Sequence, residues 1–309
     1  MFFFAGKWMV DSLLKIARFL GWREFVVTFF VMAFASSIPN LFLGITSALH
    51  KIPQLSFGDI MGNNIINMTL AVSVATLLLK KGLPAKSRMV QTTSIFTIIV
   101  AILPLILMFD GLLSRQDAVI LILFFFVYVG WLFSNKERFT KTYAEDKKED
   151  IAKRFSHFIF SFLKLIAGIA VLFLAAEGMM RSAFFFSVAL NMPLVLIGVL
   201  IVSVGNAMPE TYFAIVAAKE KHKGHNWMIL GDLMGSVIVL STLVLGVIAL
   251  IQPIYINDFS SFLIARIFLI IAALFFFISV RTDRQITKKE ALFLLGIYIT
   301  FLITEVFVK

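Results

Sequence analysis

The chain has no cysteine, which excludes disulfides, thiolate metal sites and a thiol nucleophile, and leaves the redox compartment unread. It is also poor in charge. Only 15% of its residues are charged against 60% apolar, and the mean hydropathy is +0.97, well outside soluble-globular usage. His50, His157, His222 and His225 fall at the edges of apolar runs or in connections with no metal-ligand spacing, so a histidine metal cluster is not expected. A Ser/His or metal constellation for an intramembrane hydrolase is likewise missing, and the chain is not read as an enzyme. The net charge of +10 does not point to nucleic acid, because the Lys and Arg are scattered through short connections between apolar runs, as a topology signal is.

What remains is a multi-pass integral membrane protein whose first partner is the lipid bilayer. Apolar runs of about 20 residues, long enough to span, lie near residues 24–48, 57–79, 89–109, 117–134, 157–180, 191–218, 227–250, 260–280 and 289–307, with a marginal first run at 1–20. The expected fold class is therefore an all-α membrane protein of ten transmembrane helices. The one long polar connection, 135–156, mixes seven Lys and Arg (among them Lys147 and Lys148) with Glu145, Asp146, Glu149 and Asp150. It reads as a cytoplasmic linker between a first five-helix repeat, 1–134, and a second, 157–309.

A doubled motif supports that division. Ser37-Ile38-Pro39-Asn40 is followed by Gly58-Asp59-Ile60-Met61-Gly62, and Met208-Pro209-Glu210 by Gly231-Asp232-Leu233-Met234-Gly235. The two copies lie about 170 positions apart, each with a proline-interrupted helix and a glycine-rich one, the outline of an inverted-repeat secondary transporter. Five helices per half is an odd number, so the second half enters the membrane upside down. Alignment of Asn40 with Glu210 leaves residues 158–170 without a counterpart, so the first helix looks shortened. A mis-assigned start and a naturally short helix both fit.

Loop charge gives the orientation, since Lys and Arg favour the cytoplasmic side. Lys15, Arg18 and Arg23, then Lys80, Lys81, Lys86 and Arg88, the central linker, Lys219, Lys221 and Lys223, and Arg281, Arg284, Lys288 and Lys289 occupy alternate connections. The opposite ones carry only Lys51, Arg115 and Arg181. Both termini are expected outside, with the protein in the plasma membrane.

The segments 27–67 and 197–238, which hold the two motifs, resemble the α-repeats of the cation/calcium antiporter family, the sodium/calcium exchangers and their bacterial relatives. That family's pattern is Gly-Thr-Ser-x-Pro-Glu, then some twenty residues on Gly-(Asn/Asp)-x-x-Gly-Ser-(Asn)-x-x-(Asn/Asp). The resemblance implies that the proline-broken helices cross the glycine-rich ones near the midplane, where side chains, hydroxyls and backbone carbonyls bind calcium or sodium alternately.

Carried over by position, the first-repeat Glu falls on Asn40, the hydroxyl pair on Ser36 and Ser37, the later Ser on Asn63 and the closing Asn on Asn67. In the second repeat the Glu is kept as Glu210 and the later Ser as Ser236. The Thr and Ser fall on Asn206 and Ala207, and the final ligand position is Leu240. The implied cation ligands are Glu210, Asn40, Asn67, Ser36, Ser37, Asn63, Asn206 and Ser236. Only one of the family's principal carboxylates survives.

Calcium takes six to eight oxygens and usually several carboxylates, so a site with one Glu suits Na⁺, a proton or weakly held Ca²⁺. No cofactor beyond the transported cation is implied. Asn40 and Asn67 read equally as interhelical hydrogen-bond glue. Asp59 and Asp232 lie eight residues before Asn67 and Leu240, roughly 12 Å along a helix, and are expected in vestibules, Asp59 outside and Asp232 inside. There they either favour the helix dipole or attract cations. Glu177 and Arg181, one turn apart, are expected to pair. A transport-inactive membrane scaffold or sensor on the same fold is the alternative to an antiporter, and a metabolite exporter built on another inverted repeat is a third reading.

Overall fold

The computed structural model describes residues 32–134, 151–219, 227–256 and 262–307. Its helices are α1 (Met32–Leu49), α2 (Gln54–Leu78), α3 (Arg88–Leu107), α4 (Arg115–Ser134), α5 (Ile151–Ala189), α6 (Leu194–Lys219), α7 (Met228–Ile251), α8 (Leu263–Arg281) and α9 (Lys288–Phe307). Among the described residues seven of these, α2 to α4 and α6 to α9, are long and apolar enough to cross a membrane. The expected run at 1–20 lies outside the described residues. At the linker the structure differs from the expectation: residues 151–156 are helical, the first turns of the 39-residue α5. At 1.5 Å per residue that helix is about 58 Å long, well beyond the hydrocarbon thickness.

Helices α2 and α7 form the centre, with 83% and 78% of their apolar stretches buried against 28–56% for the other five spans. Of the seven spans α2 is the least apolar and α7 among the most, so hydropathy alone does not put them in the centre. They carry Asp59, Asn63, Asn64, Asn67, Asp232 and Ser236, all buried, and are tolerated there because other helices cover them. Around α2 pack α1, α6, α8 and α9; around α7 pack α1, α3 and α4. The outer helices turn Ile, Leu and Phe side chains such as Leu123, Phe126, Ile267 and Phe293 outward, as lipid-facing surfaces do.

Two close approaches fix the centre. A Cβ on Gly58 would lie 1.9 Å from the Val195 carbonyl oxygen, and one on Gly198 would lie 2.2 Å from the Leu55 carbonyl oxygen. Only glycine lets the α2 and α6 backbones meet this closely. Three of the long helices also contain a π-helical turn: Asn67–Ala71 in α2, Gly198–Val202 in α6 and Leu240–Val244 in α7. Such turns often mark functional positions, and two of these begin at Asn67 and Leu240, the positions that the resemblance implied as the last ligand position of each repeat.

Short strand pairs tie connections from the two halves together. β1 (Leu83–Pro84) pairs antiparallel with β4 (Gln285–Ile286), and β2 (Leu112–Leu113) pairs with β3 (Ile254–Tyr255). After β2 and β4 the chain enters α4 and α9 through matching capping boxes. The Ser114 amide donates to Asp117 Oδ2 (2.8 Å) and the Asp117 amide to Ser114 Oγ (3.3 Å), while the Thr287 amide donates to Glu290 Oε2 (2.7 Å) and the Glu290 amide to Thr287 Oγ1 (3.3 Å). Arg181 and Glu177 pair as expected, at 2.8 Å, and His50 at the end of α1 joins them at 3.7 Å from Glu177.

Candidate cation site

The two prolines act differently on their helices. Pro39 has no N–H to offer the carbonyl of residue 35, yet α1 continues through it, contrary to the expected interruption. Ser37 Oγ donates to the Ala33 carbonyl (2.7 Å), as does Ser36 Oγ (3.1 Å). These bonds hold both hydroxyls against the turn before the proline and leave their lone pairs free. In α6 the helix breaks at Ala207, whose φ/ψ of −79°/−7° departs from helical values just before Pro209. The Ala207 amide still reaches the Ser203 carbonyl (2.8 Å) and Thr211 the Ala207 carbonyl (3.0 Å), so the break is one turn deep.

Around these prolines the polar residues of four helices meet. On α2, Asp59, Asn63 and Asn67 follow an i, i+4 spacing and share a face. On α6, Asn206 and Glu210 are likewise one turn apart. Hydrogen bonds sort the residues into two groups. In one, Asp59 Oδ2 accepts from Asn40 Nδ2 (3.2 Å) and from Asn206 Nδ2 (2.9 Å). In the other, Asn67 Nδ2 donates to Asn63 Oδ1 (2.9 Å) and to Ser236 Oγ (3.4 Å), and Ser236 Oγ donates to Glu210 Oε1 (3.1 Å). Both groups link a helix before the central connection to one after it.

The groups are rich in unused acceptors. Asn40 Oδ1, Asp59 Oδ1, Asn206 Oδ1, Asn67 Oδ1 and Glu210 Oε2 are buried without a hydrogen-bond partner, as is the donor Asn63 Nδ2. A buried orphaned acceptor costs about 1–3 kcal/mol, so a centre this dense in them is poor glue. Side-chain oxygens brought together from α1, α2, α6 and α7 are the kind of donor set a hard cation takes. Asn64, away from both groups, donates from Nδ2 to Ser241 Oγ at 2.7 Å and also leaves its Oδ1 without a partner, so one orphaned amide oxygen does not by itself mark the centre; their density there does.

Each residue expected at the site is therefore placed. Asn40, Asn63, Asn67, Asn206, Glu210 and Ser236 come together, and Ser36 and Ser37 sit one turn back along α1. The expected vestibule positions require correction: Asp59 is 0% exposed and held between Asn40 and Asn206, and Asp232 is 4% exposed one turn before Ser236. The Gly58 and Gly198 contact pulls Asp59 into the packed centre, something spacing along a helix does not reveal. Asp59 and Asp232 are both buried in the packed centre, so a count of one acid understates the carboxyl groups there. Leu240 is fully buried in the apolar core beside Val244 and Leu245. Glu305, a fully buried acid of α9, was not singled out, since it lies near the end of a run with no repeat partner.

Comparison with known proteins gives the family and the fold. At 24% identity over 336 residues, the sodium/calcium exchanger MaX1 of Methanosarcina acetivorans matches 96% of the chain and 93% of its own length. The inner membrane protein YrbG of Escherichia coli is 23% identical, covering 93% of the chain and 88% of that protein. A structure of the sodium-calcium exchanger NCX_Mj soaked with 100 mM Na⁺ and 10 mM Sr²⁺ has the same fold, with a TM-score of 0.67 and 21% identity over 98% of this chain and 94% of that one. The pattern of the sodium/calcium exchanger protein family matches residues 1–134 and 160–307, and the chain belongs to that family.

Proposed function

We propose that the protein is a secondary active cation antiporter that works by alternating access around the crossing of α1, α2, α6 and α7, with Glu210 at a midplane site. The observation that carries this reading is the chain of contacts from Asn67 through Ser236 to Glu210. It places a fully buried carboxylate with a free oxygen among polar side chains from both halves. An acid is retained at such a position when it lines an ion pathway.

Two inverted repeats around this site are supported by features that recur about 170 positions apart: π turns at Asn67 and Leu240, and capping boxes at Ser114 and Thr287. The strand pairs exchange under the same relation, β1 with β3 and β4 with β2. Charge in the connections supports a cytoplasmic central linker and outward termini in the plasma membrane.

The ligand set supports Na⁺, H⁺ or weakly bound Ca²⁺ over strong Ca²⁺ selectivity, because Asn40 and Leu240 replace oxygen-rich positions. Reconstitution in proteoliposomes tests this. Radiolabelled Ca²⁺ or proton movement driven by an imposed Na⁺ gradient is the expected result. A tight, folded protein that moves none of the three ions would overturn the antiporter reading in favour of a scaffold or sensor.

A further inference from the structure

We propose that the connection between α2 and α3 and the connection between α8 and α9 together form a docking surface for an anionic phospholipid. The surface is independent of which cation the protein moves. β1 and β4 bring the two connections together from opposite halves of the chain. Lys80, Lys81 and Lys86 lie in the first and Arg284, Lys288 and Lys289 in the second, all exposed. Among the described residues none of the six forms a salt bridge. Acids beside them are few: Asp283 is exposed, and Glu290 is already engaged by the Thr287 amide and hydroxyl at 2.7 and 2.8 Å. An orientation signal needs cations only on one side of the membrane; it does not need two sets of them pinned to one strand pair. The pair at β2 and β3 has no such excess, since Asp110 and Asp117 accompany Arg115 there.

The backbone under these cations is held in place. The Ala85 amide donates to the Arg284 carbonyl (2.9 Å), and Gln91 Nε2 donates to the carbonyls of Ala85 and Val280 (2.8 Å each). Gly82 has a φ of +81°, and a Cβ there would lie 2.4 Å from the Ile286 carbonyl oxygen, so the two connections fit closely. Like charges fixed near one another repel. A phosphate group relieves that repulsion and is the ordinary acceptor for Lys and Arg donors.

Apolar surface beside the charge selects a lipid over a free anion. Leu78, Ile278, Leu292 and Phe293 are 44%, 52%, 58% and 53% exposed, each within about a turn of one of the connections. The rings of Phe275 on α8 and Phe293 on α9 lie 4.8 Å apart, a surface shared by both helices on which an acyl chain can lie. Arg281 marks the boundary, its guanidinium 5.2 Å from the Phe277 ring centre, apolar stem on one side and charge on the other. A phospholipid with a negative headgroup meets both surfaces at once. The loop charge that orients the chain puts this end at the cytoplasmic leaflet, where anionic lipids attract basic juxtamembrane segments. Because one connection comes from each half, a lipid bound here holds the halves together and stabilises the fold.

Thermal unfolding of the purified full chain tests this in neutral detergent micelles doped with either phosphatidylglycerol or phosphatidylcholine at constant ionic strength. Phosphatidylglycerol should raise the melting temperature with its mole fraction, well beyond phosphatidylcholine, and added salt should shrink the difference. The triple variant Lys81→Gln, Arg284→Gln and Lys289→Gln should lose most of that rise. A charge-matched triple, Lys219→Gln, Lys221→Gln and Lys223→Gln, takes its cations from the connection after α6 and should keep it. Equal loss in the two triples would mean diffuse attraction to the basic end, and an absent rise would mean no binding; either overturns the proposal. So does an equal rise with inorganic phosphate in place of the lipid, which would make the occupant a free anion. Native mass spectrometry of the wild-type chain, released from micelles holding both lipids in equal amount, needs no variant to fold. Retention of phosphatidylglycerol over phosphatidylcholine is expected, and equal retention overturns the proposal.

Discussion

Asn206 Nδ2 donates to Asp59 Oδ2 across 2.9 Å, joining residues 147 positions apart. The bond exists because α2 and α6 touch backbone to backbone at Gly58 and Gly198, one residue before Asp59 and two turns before Asn206. It connects a contact made by glycines to the chemistry of the site, and the first prediction follows from it.

Gly58→Ala should destabilise the protein and disturb the site together. The new Cβ would meet the Val195 carbonyl oxygen at 1.9 Å, and a backbone atom cannot swing aside as a side chain does. Overpacking of this kind costs about 1–3 kcal/mol, read as a lower melting temperature. Separation of α2 from α6 also lengthens the Asp59 and Asn206 contact. Gly130→Ala, where nothing lies within 4 Å, is the control, and its melting temperature should be unchanged or slightly raised. Equal losses in the two variants would show that the close approach does not hold the helices.

Glu210→Gln should abolish cation-coupled flux, by about 100-fold or more if the charge is the coupling ligand, with expression near normal. The amide keeps the shape and the capacity to accept from Ser236. Ser236→Ala should be milder, since it removes a donor to Oε1 and leaves the charge. Flux in Glu210→Gln at the wild-type rate and ion dependence would remove Glu210 from the ligand set.

Much of this was legible in the sequence, and the division between what was and was not has physical reasons. Apolar runs gave the seven membrane-length spans to within a few residues because a membrane span must be long and apolar, while Ile151–Ala189 overran the expected 157–180 at both ends. The doubled motif singled out Asn40 and Glu210, and the family resemblance implied Asn63, Asn67, Asn206 and Ser236; hydrogen bonds join these six, with Asp59, into two groups. What escaped depends on contacts between distant segments. Asp59 looked like a vestibule acid because eight residues from Asn67 is far along one helix, and only its meeting with α6 buries it. The capping boxes at Ser114-x-x-Asp117 and Thr287-x-x-Glu290 could have been read from their spacing. The continuity of α1 through Pro39 could not, since a proline inside an apolar run reads as a break or kink.

Those capping boxes provide a stability test of the repeat. Ser114→Ala and Thr287→Ala each remove a side chain that accepts from a helix N-terminal amide, at a cost of about 1 kcal/mol. Lying at the starts of different helices, the two should add in the double variant. Thermal unfolding checks this, and a null effect in one but not the other would mean the two helix starts are not equivalent.

The absence of cysteine makes the orientation directly measurable. Lys147→Cys, in the central linker, should resist a membrane-impermeant thiol reagent in intact cells and react once the membrane is opened, whereas Lys51→Cys and Arg115→Cys should react at once. Labelling of Lys147→Cys in intact cells would invert the topology.

The last prediction concerns Asn40 and Leu240, the positions where this chain departs from the family's ligand pattern. Asn40 donates to Asp59, so Asn40→Glu replaces a donor by a second carboxylate beside the first, and Leu240→Asp adds a third acid one turn after Ser236, in a position now filled by a buried apolar side chain. Without a divalent cation these charges repel in a poorly solvated centre, and the double variant should unfold at a lower temperature than wild type in Na⁺ with chelator. Calcium binding rises with the number of charged ligands, so Ca²⁺ should restore that loss and bind more tightly than to wild type. The gain should exceed the sum of the two single substitutions, because residues that share one ion couple. Calorimetric titration with Ca²⁺ measures the affinity and thermal unfolding the rescue. A folded double variant that binds Ca²⁺ no better than wild type would mean that residues 40 and 240 do not face a common ion with Glu210, and the ligand assignments at both positions would then have to be abandoned.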